Sequence, residues 1–230
     1  MYWTLRTALG SYLYILAVII PHLIISFFCR SGDLQHLNAR AWARFSLWCA
    51  GCPVVIRGEE NIPRGPAVYM ANHVSHFDVF AILGHLKVQF RWTVKKELFR
   101  IPLLGLAMKR AGYILIDRSN HEKAMESMRI AAEKIRSGTS VFVFPEGTRS
   151  LDGTLQYPFK KGGFHLAINA GVPIVPITVS GTREILPKHG MRVRPGVITL
   201  TIGKPVPTRG REVADCMEEV YKSIKLGYTA

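Results

Sequence analysis

The sequence predicts an α/β domain with a largely parallel central sheet flanked by helices, preceded by an N-terminal membrane-associated helical segment. Three observations lead to this fold class. From residue 53 onward, short apolar runs alternate with helical stretches across short connections. The run Ser140 to Phe144 (SVFVF) is apolar throughout after its serine, as in a strand buried on both faces. Before residue 53 lies a long uncharged stretch.

The elements of the domain follow from these runs and from turn residues between them. Strands are predicted at 54–58, 67–70, 90–94, 113–116, 140–144, 173–180 and 196–203. Helices are predicted at 77–86, 121–138, after Lys161, and at 212–226. Ser119 or Asn120 is expected to cap the second of these helices, and Gly138 to end it. No element is assigned to the stretch from 95 to 112.

The uncharged stretch runs from Ala8 to Phe28, 21 residues. A helix of that length crosses ~30 Å of hydrocarbon. It is too long for a signal peptide and no cleavage pattern follows it, although Pro21 leaves a kinked or re-entrant helix open as an alternative to a full span. Arginines are more frequent after the stretch than before it, which places the body of the protein on the cytoplasmic side of the cell membrane.

A second N-terminal helix is predicted from Leu37 to Cys49, with apolar residues at three- and four-residue spacing. An interfacial helix and a helix packed on the soluble domain both fit this pattern. We therefore divide the chain into membrane-anchoring helices at 1–52 and an α/β domain at 53–230. The pair Cys49 and Cys52 ends this helix and precedes a strand, the reverse of a redox motif, which indicates two ordinary thiols.

The composition of the chain indicates which kind of molecule or surface it binds. Hydrophobic residues make up 48% and charged residues 20% of the chain, which excludes wholesale disorder. The formal net charge of +14 requires a polyanionic partner or surface. Because the chain carries a membrane segment and shows no nucleic-acid recognition motif, an anionic bilayer surface is favoured and nucleic acid is not.

The first candidate site is Asn72-His73-Val-Ser-His76-Phe-Asp78, directly after a predicted buried strand. The carboxyl ends of such strands open onto the crevice of an α/β sheet. With Asp78 holding one ring nitrogen, His73 is a competent general base. Two alternatives remain open on spacing alone. In the first, His73, His76 and Asp78 are metal ligands of a lipid or ester hydrolase. In the second, Asp78 is only a helix cap.

The second candidate site is the loop 144–150, Phe-Pro-Glu-Gly-Thr-Arg-Ser, which follows the most apolar strand. Arg149 suits a phosphate because its guanidinium engages two oxygens at once. Gly112 to Arg118 ends another strand with an arginine, and Lys160-Lys161-Gly162-Gly163 adds positive charge. The run 172–177 (VPIVPI) is stiff and apolar, and we expect it to form one wall of an apolar groove.

These four blocks, in this order, resemble the glycerolipid acyltransferases, and most closely the 1-acylglycerol-3-phosphate (lysophosphatidate) acyltransferases. The resemblance covers residues 55 to 205 and consists of N-H-x4-D at 72–78, G-x4-D-R at 112–118, F-P-E-G-T-R-S at 144–150 and V-P-I-V-P-I at 172–177. It implies His73 as base and Asp78 as its partner. It implies that Arg118, Glu146, Gly147 and Arg149 bind the glycerol phosphate, with one lysine of the pair Lys95 and Lys96 near the phosphate or the developing charge. We expect Thr148, Lys160 and Lys161 to contribute to the same substrate site, and we expect no metal.

The implied reaction transfers an acyl group from a thioester to the sn-2 hydroxyl of lysophosphatidate, giving phosphatidate. The donor is acyl-CoA or acyl-ACP, so acyl carrier protein is a candidate partner, and no bound cofactor is required. Backbone amides near Gly147 are expected to stabilise the oxyanion. No covalent enzyme intermediate is needed, because the motif supplies a base and no nucleophile other than the candidate Ser75. Glycerol 3-phosphate or another lysolipid as acceptor, a metal-dependent hydrolase, and a nonenzymatic lipid-binding protein are the alternatives.

Overall fold

The computed structural model describes residues 1–28, 31–101, 103–116 and 121–228. The helices are α1 Tyr2–Phe28, α2 Asp33–Ala50, α3 His76–His85, α4 Leu104–Arg110, α5 His121–Arg136, α6 Gly162–Ala170, α7 Thr182–Ile185 and α8 Val213–Gly227, with 3-10 turns at Glu59–Asn61 and Lys96–Arg100. The strands are β1 Val54–Arg57, β2 Val68–Ala71, β3 Phe90–Lys95, β4 Ile114–Ile116, β5 Ser140–Val143, β6 Ile174–Ser180 and β7 Ile198–Ile202.

The seven strands form one sheet in the order β1-β7-β6-β2-β5-β3-β4. All neighbours pair in parallel except β6 and β7, which are antiparallel. The predicted fold class is therefore confirmed. Strand β2 lies between β5 and β6, so the loops that follow these three strands leave the sheet at the same edge.

The sheet separates two apolar cores, because neighbouring side chains on a strand point to opposite faces. Tyr69 and Phe142 face a core shared with α2 and α3. Val68, Met70 and Val141 face the other core, which contains residues of α5, α6 and α8. Strands β2 and β5 are buried at every position, which explains their unbroken apolar sequences.

Helix α2 is packed on the domain, as one of its two predicted alternatives proposed. Ala43 and Leu47 belong to the core beside α3, and the Trp42 ring contacts Phe80 edge to face. The helix starts at Asp33 rather than at Leu37. The division into residues 1–52 and 53–230 stays a prediction, with α2 contributing both to the contact with α1 and to the domain core.

Helix α1 continues through Pro21 and lies along α2. Ser11 Oγ donates a hydrogen bond to Ser46 Oγ at 2.8 Å, and a Cβ on Gly10 would come within 2.6 Å of Cys49 Sγ. The outer face of α1 is apolar and more than half exposed at Leu5, Leu9, Tyr12, Leu13 and Leu16. By length and composition, Tyr2–Pro21 is long and apolar enough to cross a membrane.

The structure adds elements that the sequence did not indicate. The stretch after β3 forms the 3-10 turn at Lys96–Arg100 and α4, and a one-turn helix, α7, follows β6. The predicted caps of α5 at Ser119 and Asn120 lie outside the described residues. Cys49 and Cys52 are free, buried thiols.

Candidate active site

The loop between β2 and α3 is fixed at its start by Asn72. Its fully buried side chain donates from Nδ2 to the carbonyl of Val179 and accepts at Oδ1 from the Val179 amide, both at 2.8 Å. This pair of bonds ties the end of β2 to β6. His73 is thus held at the carboxyl edge of the sheet.

Asp78 is the organising residue of this loop. Its Oδ2 accepts from His73 Nδ1 at 2.8 Å, from the Val74 amide at 2.7 Å and from the Ser75 amide at 2.9 Å. The side chain is fully buried, and together with Ser75 it forms a capping box at the start of α3. The helix cap and the orienting partner, predicted as alternatives, are the same carboxylate.

The second oxygen of Asp78 has a partner that the sequence did not reveal. Thr182, fully buried at the start of α7, donates its hydroxyl to Oδ1 at 2.5 Å. Thr182 follows β6, whose end lies at the same edge of the sheet as the end of β2. The sequence Ser180-Gly181-Thr182 at a strand end was the signal available for it.

This arrangement leaves His73 with one ring nitrogen for chemistry. A carboxylate only accepts hydrogen bonds, so Nδ1 carries the proton facing Asp78 and Nε2 keeps its lone pair. The ring stacks on Phe144 with centroids 3.9 Å apart, and 16% of the side chain remains exposed. The imidazole is therefore held in one tautomer and still reaches solvent.

Glu146 joins the two candidate loops. Its Oε1 accepts from the His73 amide at 2.6 Å and its Oε2 from the Gln156 amide at 3.1 Å. A further bond joins the Ser150 amide to the His73 carbonyl at 2.8 Å. Glu146 is only 4% exposed, and this burial raises its pKa to about 7, against the opposing effect of the two amide donors.

Arg149, Thr148 and Gly147 are the other predicted substrate-binding residues of the loop 144–150. The Arg149 side chain is half-buried, and its positive charge adds to burial in lowering the pKa of His76. Thr148 is exposed. Gly147 has φ 75° and donates its amide to the Phe144 carbonyl at 3.0 Å, so this amide is committed to the turn and not free for an oxyanion.

The remaining predicted substrate-binding residues divide by location. The Lys160 amide donates to the Pro145 carbonyl at 2.8 Å, which brings the exposed Lys160 and Lys161 to the same loop. Lys95 ends β3 and Lys96 begins the 3-10 turn after it. Arg118 lies outside the described residues. Substrate binding by this set stays a prediction.

One expectation from the sequence is wrong. Val175 and Ile177 are at most 1% exposed and belong to the core, so the run 172–177 leads into the buried strand β6 and does not form a groove wall. In the part of the chain that the structure describes, His73, His76 and Asp78 do not converge as metal ligands, nor does any other set of three or more His, Cys, Asp or Glu residues.

Comparison with known proteins identifies the family of this chain. The family model described as Acyltransferase matches residues 53–180, which is more than half of the chain. The chain belongs to the acyltransferase family. The resemblance stated from the four blocks is thereby confirmed, and the matched segment contains His73, Asp78 and the loop 144–150.

Individual relatives carry more specific names. The chain is 37% identical over 175 residues to a chloroplastic 1-acyl-sn-glycerol-3-phosphate acyltransferase of Brassica napus, with 75% of the chain and 50% of the relative covered. A Pseudomonas aeruginosa protein of the same name is 34% identical over 174 residues, covering 74% of the chain and 66% of the relative. The chain spans about half to two thirds of the length of such relatives.

A solved structure matches nearly the whole chain. The crystal structure of the 1-acyl-sn-glycerophosphate (LPA) acyltransferase PlsC from Thermotoga maritima aligns with a TM-score of 0.80 at 28% sequence identity. The alignment covers 98% of this chain and 96% of the other. This similarity includes the N-terminal helices as well as the α/β domain.

Proposed function

We propose that this protein transfers a fatty acyl group from an acyl thioester to the sn-2 hydroxyl of lysophosphatidate, giving phosphatidate. The observation that carries the proposal is the His73–Asp78 pair, with Nδ1 held at 2.8 Å and Nε2 free at the carboxyl edge of the sheet. The printed names of the relatives support the acceptor. Other lysolipids and glycerol 3-phosphate are the acceptors against which it must be tested.

The proposed chemistry uses His73 twice. Nε2 removes the proton of the acceptor hydroxyl as the oxygen attacks the thioester carbonyl, and a tetrahedral intermediate forms. Its collapse forms the ester and breaks the C–S bond. The imidazolium, stabilised by Asp78, then returns the proton to the leaving thiolate, so the enzyme ends in its starting state.

Direct transfer is favoured over a covalent intermediate on Ser75. The Ser75 hydroxyl is fully buried, donates to the Leu186 carbonyl at 2.6 Å and accepts from the Phe77 amide at 3.1 Å. The bond from the Phe77 amide caps α3, and the bond to Leu186 ties this cap to the residue that follows α7. Attack on a thioester by this oxygen would require the cap to open.

Arg149 is proposed to make the main contact with the acceptor phosphate. It lies in the loop 144–150, and Glu146 of the same loop accepts a hydrogen bond from the His73 amide. Lys95, Lys96, Arg118, Lys160 and Lys161 are proposed to supply further positive charge, with Thr148 and Glu146 shaping the loop. The enzyme is proposed to act at the cytoplasmic face of the cell membrane. The exposed apolar face of α1 and the net charge of +14 support attachment to an anionic bilayer.

The test is an acyl-transfer assay with purified full-length protein. Lysophosphatidate, three other lysolipids and glycerol 3-phosphate are each offered with acyl-CoA and with acyl-ACP, and products are identified by mass. We expect phosphatidate as the main product. For His73→Ala we expect transfer to fall by on the order of 10²- to 10⁴-fold.

The matched control is His165→Ala, which removes an exposed histidine of α6 and is expected to leave the rate unchanged. Undiminished transfer by His73→Ala refutes the mechanism. Release of free fatty acid without ester formation favours the hydrolase alternative, and a preferred acceptor other than lysophosphatidate refutes the substrate assignment.

A further inference from the structure

The C-terminal end of α8 is joined to β6 close to the proposed active site. The Thr178 hydroxyl donates to the Ile224 carbonyl at 3.0 Å. The Ser180 hydroxyl donates to the Gly227 carbonyl at 3.2 Å. A Cβ on Gly227 would lie 2.7 Å from Thr178 Oγ1, so a glycine is needed for the helix to approach the strand this closely. The next residue, Tyr228, is thereby held at the carboxyl edge of the sheet.

The loop that follows β5 contains a tight turn from Ser150 to Thr154. Asp152 Oδ1 accepts from the Ser150 hydroxyl at 2.9 Å, and from the amide and the hydroxyl of Thr154 at 3.0 and 2.8 Å. The Gly153 amide donates to Ser150 Oγ at 3.1 Å. These bonds define the shape of the turn, whereas its position on the domain depends on contacts with other elements.

Two such contacts meet the turn at Gly153. Tyr228 donates its hydroxyl to the Gly153 carbonyl. On α7, the Arg183 side chain covers the glycine, because a Cβ at position 153 would lie 2.7 Å from Arg183 Cδ and Nε. Gly153 also has φ 88°, a conformation that favours glycine. The turn is therefore in contact both with α7 and with the residue that follows α8.

The turn is directly joined to the residues proposed to bind the acceptor. Arg149 precedes Ser150, whose amide donates to the His73 carbonyl at 2.8 Å. After the turn, the Gln156 amide donates to Glu146 Oε2 at 3.1 Å. Oε1 of the same carboxylate accepts from the His73 amide at 2.6 Å. Both ends of the turn are therefore connected to the His73 backbone, one directly and one through Glu146.

The Tyr228 hydroxyl remains a donor across the physiological pH range. Burial, and then the negative charges of Glu146 and Asp78, raise the pKa of Tyr228 to about 12. Both carboxylates accept hydrogen bonds from His73, so the phenol lies in the electric field of the active site. The bond to Gly153 is thus present whenever His73 is able to act as a base.

We propose that Tyr228 is a positioning residue for acyl transfer, which acts through Gly153 and Arg149 on the acceptor phosphate. This inference rests on the proposed function, in which Arg149 binds that phosphate. The Tyr228 hydroxyl fixes the turn, and the turn fixes the direction in which the Arg149 side chain leaves the loop. A bidentate contact between guanidinium and phosphate depends on that direction, because its two hydrogen bonds are parallel.

The first test is Tyr228→Phe, which removes the hydroxyl and keeps the ring. We expect the KM for lysophosphatidate to rise about three- to tenfold, the effect of one hydrogen bond. The values of kcat and of the KM for the acyl thioester are expected to stay within about twofold of wild type. The matched control is Tyr221→Phe on α8, which keeps the ring contacts with Tyr157 and Phe159 and is expected to leave all three constants unchanged.

A purely structural role for Tyr228 would reduce the amount of active enzyme, which lowers kcat and leaves both KM values unchanged. An unchanged KM for lysophosphatidate therefore overturns the proposal. An equal rise in the KM of both substrates overturns it as well, because the effect would not be specific to the acceptor.

A double-mutant cycle tests whether Tyr228 acts through Arg149. In the Arg149→Ala background, Tyr228→Phe is expected to change the KM for lysophosphatidate by less than about twofold, because the guanidinium that the turn orients is absent. If the two single effects multiply in the double variant, Tyr228 acts independently of Arg149 and the proposal is wrong.

Equilibrium binding separates this proposal from the proposed function. Titration calorimetry with 1-hexanoyl lysophosphatidate, in detergent and without an acyl donor, is expected to show about three- to tenfold weaker binding to Tyr228→Phe than to wild type. If that difference appears in a protein that transfers no acyl group to any acceptor, the proposed function fails and the positioning role stands. If wild type forms phosphatidate and both proteins bind the lysolipid equally, the positioning role alone is wrong.

Discussion

The loops at the carboxyl edge of the sheet and helix α1 are opposites in how they are held. In the loops, polar side chains such as Asp78 and Glu146 are almost fully buried, and their oxygens accept several hydrogen bonds. In α1, large apolar side chains such as Leu9 and Leu13 are more than half exposed, and contact with the domain runs along one face.

The difference shows that directional hydrogen bonds specify the geometry of the loops, whereas apolar composition is sufficient for the outer face of α1. Hydrogen bonds fix distances and angles, and a buried polar atom left without one costs about 1–3 kcal/mol. Apolar contact with lipid depends on area and tolerates exchange among apolar residues. Small changes are therefore expected to be severe in the loops and mild in α1.

The largest effect is expected for Asp78→Asn. The amide keeps the shape of the side chain but turns one acceptor into a donor, which opposes the Val74 and Ser75 amides and favours the wrong tautomer of His73. We expect kcat to fall by on the order of 10³- to 10⁴-fold. Stability is expected to fall by about 2–4 kcal/mol, measured by urea unfolding in detergent.

Asp215→Asn, an exposed change in the first turn of α8, is the control for Asp78→Asn and is expected to leave kcat unchanged and to lower stability by less than about 1 kcal/mol. A normal kcat in Asp78→Asn would mean that the carboxylate serves only as a helix cap.

The next effect is expected in the pH dependence of stability at Glu146. Its pKa is 4.5 ordinarily and about 7 in the fold, so the folded protein binds this proton more tightly than the unfolded chain. The stabilisation is then complete below pH 4.5 and is lost as the pH rises through 7, a change of roughly 3 kcal/mol. The unfolding free energy of wild type is expected to fall across this pH range, whereas Glu146→Gln has no group that titrates at this position. The variant is therefore expected to gain stability relative to wild type as the pH rises.

Glu60→Gln removes an exposed carboxylate and is expected to track wild type at every pH. A constant difference between wild type and Glu146→Gln from pH 4.5 to 8 contradicts the assignment of the raised pKa.

A smaller effect is expected for Thr182→Val, which leaves Asp78 Oδ1 without the hydroxyl that it accepts at 2.5 Å. We expect a loss of about 1–2 kcal/mol in stability and about tenfold in kcat, with the KM of both substrates unchanged. Thr182→Ser keeps the hydroxyl and is expected to recover most of the rate. Equal rates in both variants would show that the hydroxyl does not act on the pair.

The smallest effect on stability is expected in α1. Leu13→Glu, on the exposed face, is expected to change the unfolding free energy in detergent by less than about 0.5 kcal/mol. It is expected to move protein from the membrane fraction to the soluble fraction, because a charge is costly in hydrocarbon. Retention of Leu13→Glu in the membrane would contradict the assignment of this face.

Ser11→Ala removes the hydrogen bond to Ser46 and is expected to have the opposite pattern. We expect it to lower the unfolding free energy by about 1 kcal/mol and to retain membrane binding.

The sequence predicted the parts of the site that are local in the chain. His73 and Asp78 are five residues apart after a buried strand, so their pairing follows from spacing and strand position. Contacts over long separations were not predictable. Thr182 is 104 residues from Asp78, and the Glu146 carboxylate is 73 residues from the amide that it binds. Their approach depends on strand order, which periodicity does not specify.

The wrong expectation has a physical reason as well. An apolar run such as 172–177 has the same composition in a buried strand and in the wall of an apolar groove, and only the neighbours of β6 decide between them. The antiparallel pairing of β7 with β6 could not be predicted from the sequence either, because the alternation of strands and helices indicated parallel neighbours.

Gly181 has a consequence for how mutational scans of this protein are interpreted. It has φ 86° between β6 and α7, and a Cβ there would collide with the Val197 carbonyl oxygen. We therefore expect every substitution to displace Thr182 and, through it, the Asp78 carboxylate beside His73. In a saturation library, position 181 is expected to be as intolerant as a reacting residue although it touches no substrate, and a loss of function there measures the turn and not the chemistry.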